Sequence, residues 1–217
     1  MNFIKARNSM VEHQLKPNKI TDSRILDIFN EISKEVFVKN ELQNIVYSDV
    51  DINLTVNRGY LKNLHIAQLI QYVKINKEDK VLHIGGLTGY VTLILSKLSN
   101  YVVVVENDEH LLKQLKENII KFQLTNVEIV KDDLKLGYKE NSPYELIFID
   151  CPIDNFSNKV LNQLNPNHGR LIMIERINKD LGKGILITRN NKNYNKEILF
   201  DVFSKFSLYE SKKEFIF

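Results

Sequence analysis

A chain of 217 residues, 43% hydrophobic and 26% charged, can bury roughly 70% of its unfolded surface in one core, which excludes wholesale disorder. Its net charge of +3 is spread along the sequence rather than gathered in one patch, so no nucleic-acid partner is expected. A single cysteine, Cys151, excludes an internal disulfide framework and fits a reducing compartment.

Residues 3–15 and 22–33 have helical spacing, the second with Thr21 or Asp22 as its N-cap. Residues 47–56 alternate like a pair of strands, and residues 64–73 read as a helix. Lys80, Val81, Leu82, His83 and Ile84 then form a short run with the look of a buried strand. Helical spacing follows over residues 90–98, and Tyr101 with four valines makes a second buried strand. Leu111, Leu112, Leu115, Ile119 and Phe122 mark another helix. Further strands are expected at 127–130, 146–149 and 171–174. Strand and helix alternate, which predicts an α/β fold with a mostly parallel, doubly wound sheet. The closely spaced runs from 184–187 to 215–217 predict an antiparallel C-terminal edge, and Arg189, Lys192, Tyr194 and Lys196 between them read as a solvated turn. No stretch is long and apolar enough to span a bilayer, and Met1 to Lys5 lead into no apolar signal segment. A cytoplasmic protein without a membrane partner is the expectation. With no repeat or linker in the sequence, residues 1–217 are expected to form one domain, 1–75 as an N-terminal cap and 76–217 as the sheet.

Three of only 8 glycines fall at Gly85, Gly86 and Gly89, directly after the first sheet strand. A strand ending in a glycine turn that opens a helix offers backbone N–H groups to a ligand. Glu106 ends the next strand, 21 positions beyond Gly85, where an acidic side chain can hold both hydroxyls of a ribose. Asp133, beside Asp132 after the third strand, can accept a hydrogen bond from an adenine amino group. The three elements describe a nucleoside pocket across three strand ends. His83 within its strand, and Cys151 at the end of another, read as buried packing residues.

Over nearly the whole chain the sequence resembles the protein-L-isoaspartate O-methyltransferases. Ala6, Arg7, Met10, Val11, Gln14 and Leu15 look like that family's opening helix; Ile20, Asp22, Arg24 to Leu26 and Glu35 to Val38 look like its next segment. Tyr47 and Asp49 match its tyrosine-x-aspartate, Val81 to Gly85 with Gly89 and Tyr90 its S-adenosylmethionine motif, and Val104 to Glu106 its second strand. Asn126, Val127, Asp133, Gly137 and Tyr138, then Gln163, Leu164, Pro166 and Gly169 to Leu171, resemble later blocks. The resemblance implies a seven-stranded, Rossmann-like methyltransferase sheet under a helical cap, and S-adenosylmethionine bound at His83, Gly85, Gly86, Gly89, Glu106 and Asp133. It also implies a monomer that methylates the carboxylate of L-isoaspartyl residues in damaged proteins.

Three positions depart from the family. His83 stands where it has an acidic residue, Leu87 where it has the central glycine of the loop, and Leu61 where its substrate loop has a serine. Leu61 cannot donate a hydrogen bond, so the catalytic position is open, with Asn57, Asn63 and His65 as candidate donors. These departures admit a second reading, a cofactor-binding or interaction protein of the same fold that has lost turnover. In a third, Asp150 and Asp154 hold a divalent ion, as in metal-dependent small-molecule O-methyltransferases.

Overall fold

The structure is a computed structural model that describes residues 2–154 and 156–209. The cap opens with α1 (Phe3–Met10), continued by a wider π turn over Val11–Leu15, and α2 (Ser23–Glu31). Asp22 caps α2 by accepting from the Arg24 amide. Arg7 knits the cap together. Its Nε donates to the Asn30 carbonyl at 2.6 Å and its Nη1 to Ser33 and Tyr47, while the Tyr47 hydroxyl donates to Glu35. A short hairpin, β1 (Ile52–Asn53) and β2 (Gly59–Tyr60), precedes α3 (Asn63–Val73).

The remaining elements are β3 (Lys80–Ile84), α4 (Tyr90–Leu98), β4 (Tyr101–Val105), α5 (Glu109–Lys121), β5 (Val127–Val130), β6 (Leu146–Ile153), α6 (Asn158–Leu161), β7 (Asn167–Arg176), β8 (Leu181–Asn190) and β9 (Asn193–Phe203). Seven strands form one sheet in the order β5-β4-β3-β6-β7-β8-β9. The first five run parallel; β8 and β9 are antiparallel. Every residue of β6 is buried, as are the four valines of β4, because a parallel strand at the centre of such a sheet is covered on both faces. The chain winds outward from β3 to β5 and returns on the other side of β3 at β6. That reversal opens a crevice at the carboxyl ends of β3, β4 and β6, where ligands bind in open α/β sheets. One apolar cluster runs from Met10 and Phe29 of the cap to Ile172 of the sheet.

Two elements differ from their sequence patterns. Residues 47–56 do not make a strand pair; only Ile52 and Asn53 are extended, and they pair with Gly59 and Tyr60. Of the apolar residues that suggest alternation, Ile52 is buried and Leu54 half-buried, but Val50 and Val56 are exposed, so they do not share one buried face. The supposed turn around residues 189–196 is mostly hairpin: Arg189 pairs with Tyr194 and Asn190 with Asn193, leaving Asn191 and Lys192 at the tip. An edge strand needs no apolar side chains on its open face, so its polar composition conceals it. The run at 215–217 lies outside the described residues.

Gly86 follows β3 where the loop passes under β4. A Cβ there would lie 2.3 Å from Cγ2 of Val104, a fully buried side chain. Gly86→Ala is therefore expected to lower stability by about 1–3 kcal/mol, measured by urea unfolding; an unchanged midpoint would contradict this packing.

Candidate functional site

The glycine loop turns its amides inward. Gly85 and Gly89 have φ of +91° and +99°, a region that L side chains rarely occupy. Gly85 and Gly86 both donate to the Val105 carbonyl, and Gly89 to the Gly86 carbonyl. The first amide of α4, on Tyr90, donates to the Tyr60 hydroxyl at 3.0 Å; that hydroxyl also lies 2.6 Å from Oγ1 of Thr88. Leu87 sits where the family resemblance places a glycine. It takes a left-handed φ of +51°, which costs a non-glycine residue about 1–2 kcal/mol. Its amide donates to Oε2 of Glu106 at 2.9 Å.

Glu106 directly follows β4 and is fully buried. Arg58, just before β2, reaches it with both terminal nitrogens: Nη1 to Oε1 at 2.7 Å and Nη2 to Oε2 at 2.7 Å. The amides of Asn107 and Asp108 donate to Oε1 at 2.9 and 3.0 Å. With the Leu87 amide, five N–H groups converge on one carboxylate. Burial opposes the charge on Arg58, but the Glu106 hydrogen bonds and charge outweigh it and hold the guanidinium more firmly protonated than usual. The Nε of Arg58 has no partner.

A strap covers the same place. Past β9 the Ser207 amide donates to the Asn57 carbonyl at 2.9 Å and the Leu208 amide to the Pro152 carbonyl at 3.0 Å, so residues 206–208 bridge the hairpin tip and the end of β6. Arg176 secures the strap by donating to the Phe206 carbonyl while pairing with Asp154 at 3.0 Å. A Cβ built on Gly85 would lie 2.6 Å from Cδ1 of Leu208 and 3.3 Å from Nη2 of Arg58. The space over the loop is thus filled by two of the protein's own side chains.

Of the other sequence candidates, His83 is buried between Oγ1 of Thr92 at 3.0 Å and Oδ1 of Asp150 at 3.2 Å. Asp133 is exposed and accepts from the Lys135 amide, capping a turn. Asp150 and Asp154 are engaged by His83 and Arg176, and among the described residues no group of three or more potential ligands is placed to hold a metal. Cys151 is buried, and burial drives its thiol pKa far up, which makes it a poor nucleophile.

On the acceptor side Leu61 is fully buried and its carbonyl accepts from Nζ of Lys34 at 3.3 Å. Asn63 accepts from the same Nζ at 2.8 Å and donates to the Val46 carbonyl at 2.9 Å, so both ends of its amide are committed. His65 is buried with Nδ1 unpartnered; burial, helped by the charge of Lys62, pushes its pKa down to about 4, leaving the ring neutral at pH 7. Asn57, exposed at the hairpin tip, takes part through its carbonyl.

Sequence reasoning does not single out Arg58, Leu208 or Lys34. The one available cue is that an arginine before a glycine and a tyrosine is an odd resident for a short hairpin. Lys34 is fully buried, with its Nζ 5.5 and 5.2 Å from the ring centres of Tyr60 and Tyr90. Burial pushes its pKa down to about 7, partly offset by the charges of Asp51 and Asp150. Between about 7 and its unfolded value of 10.5 the unfolded state binds more protons, so this group makes stability rise with pH across that window. The stability of the natural chain minus that of Lys34→Met is expected to rise by about 3 kcal/mol between pH 6 and pH 9. Parallel pH profiles in urea unfolding would contradict it.

Comparison with known proteins agrees with this architecture. Residues 5–203 match the family described as Protein-L-isoaspartate(D-aspartate) O-methyltransferase (PCMT). A protein-L-isoaspartate O-methyltransferase of Herpetosiphon aurantiacus is 31% identical over 166 residues, covering 76% of this chain and 74% of its own. Another, from Protochlamydia amoebophila, is 30% identical over 164 residues, covering 76% and 78%. A solved structure titled protein-L-isoaspartate O-methyltransferase superposes with a TM-score of 0.80 at 24% identity, over 94% of this chain and 66% of that one, and shares its fold. The chain belongs to the protein-L-isoaspartate O-methyltransferase family.

Proposed function

We propose that this protein transfers a methyl group from S-adenosylmethionine to the free carboxylate of L-isoaspartyl residues in damaged proteins. The observation that carries this reading is the family match over residues 5–203, which takes in the N-terminal cap as well as the sheet. A sheet of this kind is shared by many methyltransferases, whereas the cap is what the matched family adds. The match and the names of the relatives favour this activity over the non-enzymatic and metal-dependent readings. Its single cysteine fits the reducing cytoplasm, where we propose it acts as a monomer on isoaspartyl peptides, without nucleic-acid or membrane partners.

The residue types at the crevice suit a nucleoside: a strand-end carboxylate at Glu106, and at Gly85 a position without a side chain. Their present arrangement does not. Both carboxylate oxygens of Glu106 are saturated, and Leu208 and Arg58 stand over Gly85. The cofactor would supply a methyl group on a positively charged sulfur. The acceptor, a carboxylate with a pKa near 4, is ionised at neutral pH, so the protein need provide no general base. What remains for it is alignment and exclusion of water, which favours a transition state in which opposite charges cancel. Leu61 cannot orient the acceptor carboxylate by a hydrogen bond, and Asn63 is committed to Lys34 and Val46. Asn57 and His65 remain as candidate acceptor contacts beside it.

Incubation with methyl-labelled S-adenosylmethionine is expected to label a synthetic isoaspartyl peptide and leave the matching aspartyl peptide unlabelled. Background label in both would defeat the proposed activity.

A further inference from the structure

The carboxylate that should hold a ribose is already held. A carboxylate offers about four lone-pair sites, and Glu106 accepts from five N–H groups, two of them from one guanidinium. Three of the five, the amides of Leu87, Asn107 and Asp108, are backbone groups of the glycine loop and the approach to α5. They belong to the same frame as Glu106 and need not move. The two from Arg58 come from a side chain whose own backbone is tied within the hairpin: the Arg58 carbonyl accepts from the Leu54 and Thr55 amides, and its amide donates to Oγ1 of Thr55. Val56 at the hairpin tip is 95% exposed. The Arg58 side chain is therefore the separable part of the arrangement.

The second occupant, Leu208, is buried with Phe206 in the main apolar cluster, so its release gives up apolar burial that an incoming ligand must restore. Leu208 lies over Gly85 on a strap without regular structure that is fastened by the Ser207 amide to Asn57, by the Leu208 amide to Pro152 and by Arg176 to Phe206. Hairpin and strap hold each other through Asn57, so they can leave as one unit.

We infer that Arg58 and Leu208 form an internal gate over the nucleoside seat, so that cofactor binding and the Arg58–Glu106 pair are mutually exclusive. The inference rests on the proposed use of S-adenosylmethionine. Two hydroxyls of a ribose would replace the two Arg58 donors on Glu106, and the body of the nucleoside would replace Leu208 over Gly85. The energetics permit the exchange. Separating a buried ion pair is costly because it leaves a charge buried alone; that cost is offset as the guanidinium regains its hydration and Glu106 keeps three backbone donors and gains two hydroxyls. Affinity for the cofactor is then lowered by whatever fraction of molecules is closed.

The test is calorimetric titration of S-adenosylhomocysteine into the natural chain, Arg58→Ala, Arg58→Lys and Leu208→Ala, each first shown to be folded by its thermal melt. Arg58→Ala is expected to bind at least tenfold more tightly than the natural chain, and Leu208→Ala more tightly to a smaller degree. Arg58→Lys, which cannot make the bidentate pair, should fall between the natural chain and Arg58→Ala. If Arg58→Ala fails to fold, the other two variants decide by the same ordering. Equal affinity across the set, or weaker binding by the variants, overturns the gate and leaves the proposed cofactor standing. Absence of binding at millimolar ligand by every protein overturns both.

Discussion

One buried carboxylate sets the geometry of the functional end of this molecule. Glu106 gathers the glycine loop through Leu87, the start of α5 through Asn107 and Asp108, and the cap hairpin through Arg58. Parallel pairing of β4 with β3 and β5 fixes where the carboxylate stands, and nothing else at the strand ends could neutralise its charge as directly as a guanidinium at 2.7 Å. The left-handed Leu87 is a consequence: its strain is accepted where its amide meets Oε2. Glu106 thus joins the cap to the sheet by a charged contact, beside the apolar cluster that does so by packing.

The sheet was legible because its signals are local. Four consecutive valines can only be a covered strand, and an acidic residue directly after them must lie at the sheet's carboxyl edge, so Glu106 is found from spacing alone. The N-cap of α2, narrowed by the sequence to Thr21 or Asp22 and found at Asp22, is legible for the same reason. Arg58 is not, because an ion pair spanning 48 positions leaves no trace near either partner. Leu208 is hidden differently: a leucine between serine and tyrosine past the last strand carries no periodicity, and its place over Gly85 is decided by the strap's backbone hydrogen bonds. Lys34 misleads, since a lysine before a glutamate reads as surface while this one is sealed between two tyrosine rings.

The departures from the family pattern gather around the same crevice. Leu61 leans through its carbonyl on the buried Lys34, Leu87 serves Glu106, and His83 spans Thr92 and Asp150. Each has become part of a contact inside the protein. Burial of polar groups is tolerated where donors and acceptors find partners; among the buried atoms that find none, Nε of Arg58 lies on the hairpin, Nδ1 of His65 on α3 and the hydroxyl of Tyr90 at the start of α4. A site that satisfies itself in this way is stable when empty, and opening it is the step on which the proposed transfer depends.

The central claim, that the protein's own hairpin and strap fill the nucleoside seat, is tested most directly by amide hydrogen exchange with and without saturating S-adenosylhomocysteine. If Arg58 and Leu208 are displaced together as one unit, the Leu208 amide loses its acceptor on Pro152 and exchanges faster in the complex, while the Ser207 amide keeps Asn57 and those of Asn107 and Asp108 stay protected by Glu106. Unchanged or slower exchange at Leu208 in the bound protein would contradict the claim.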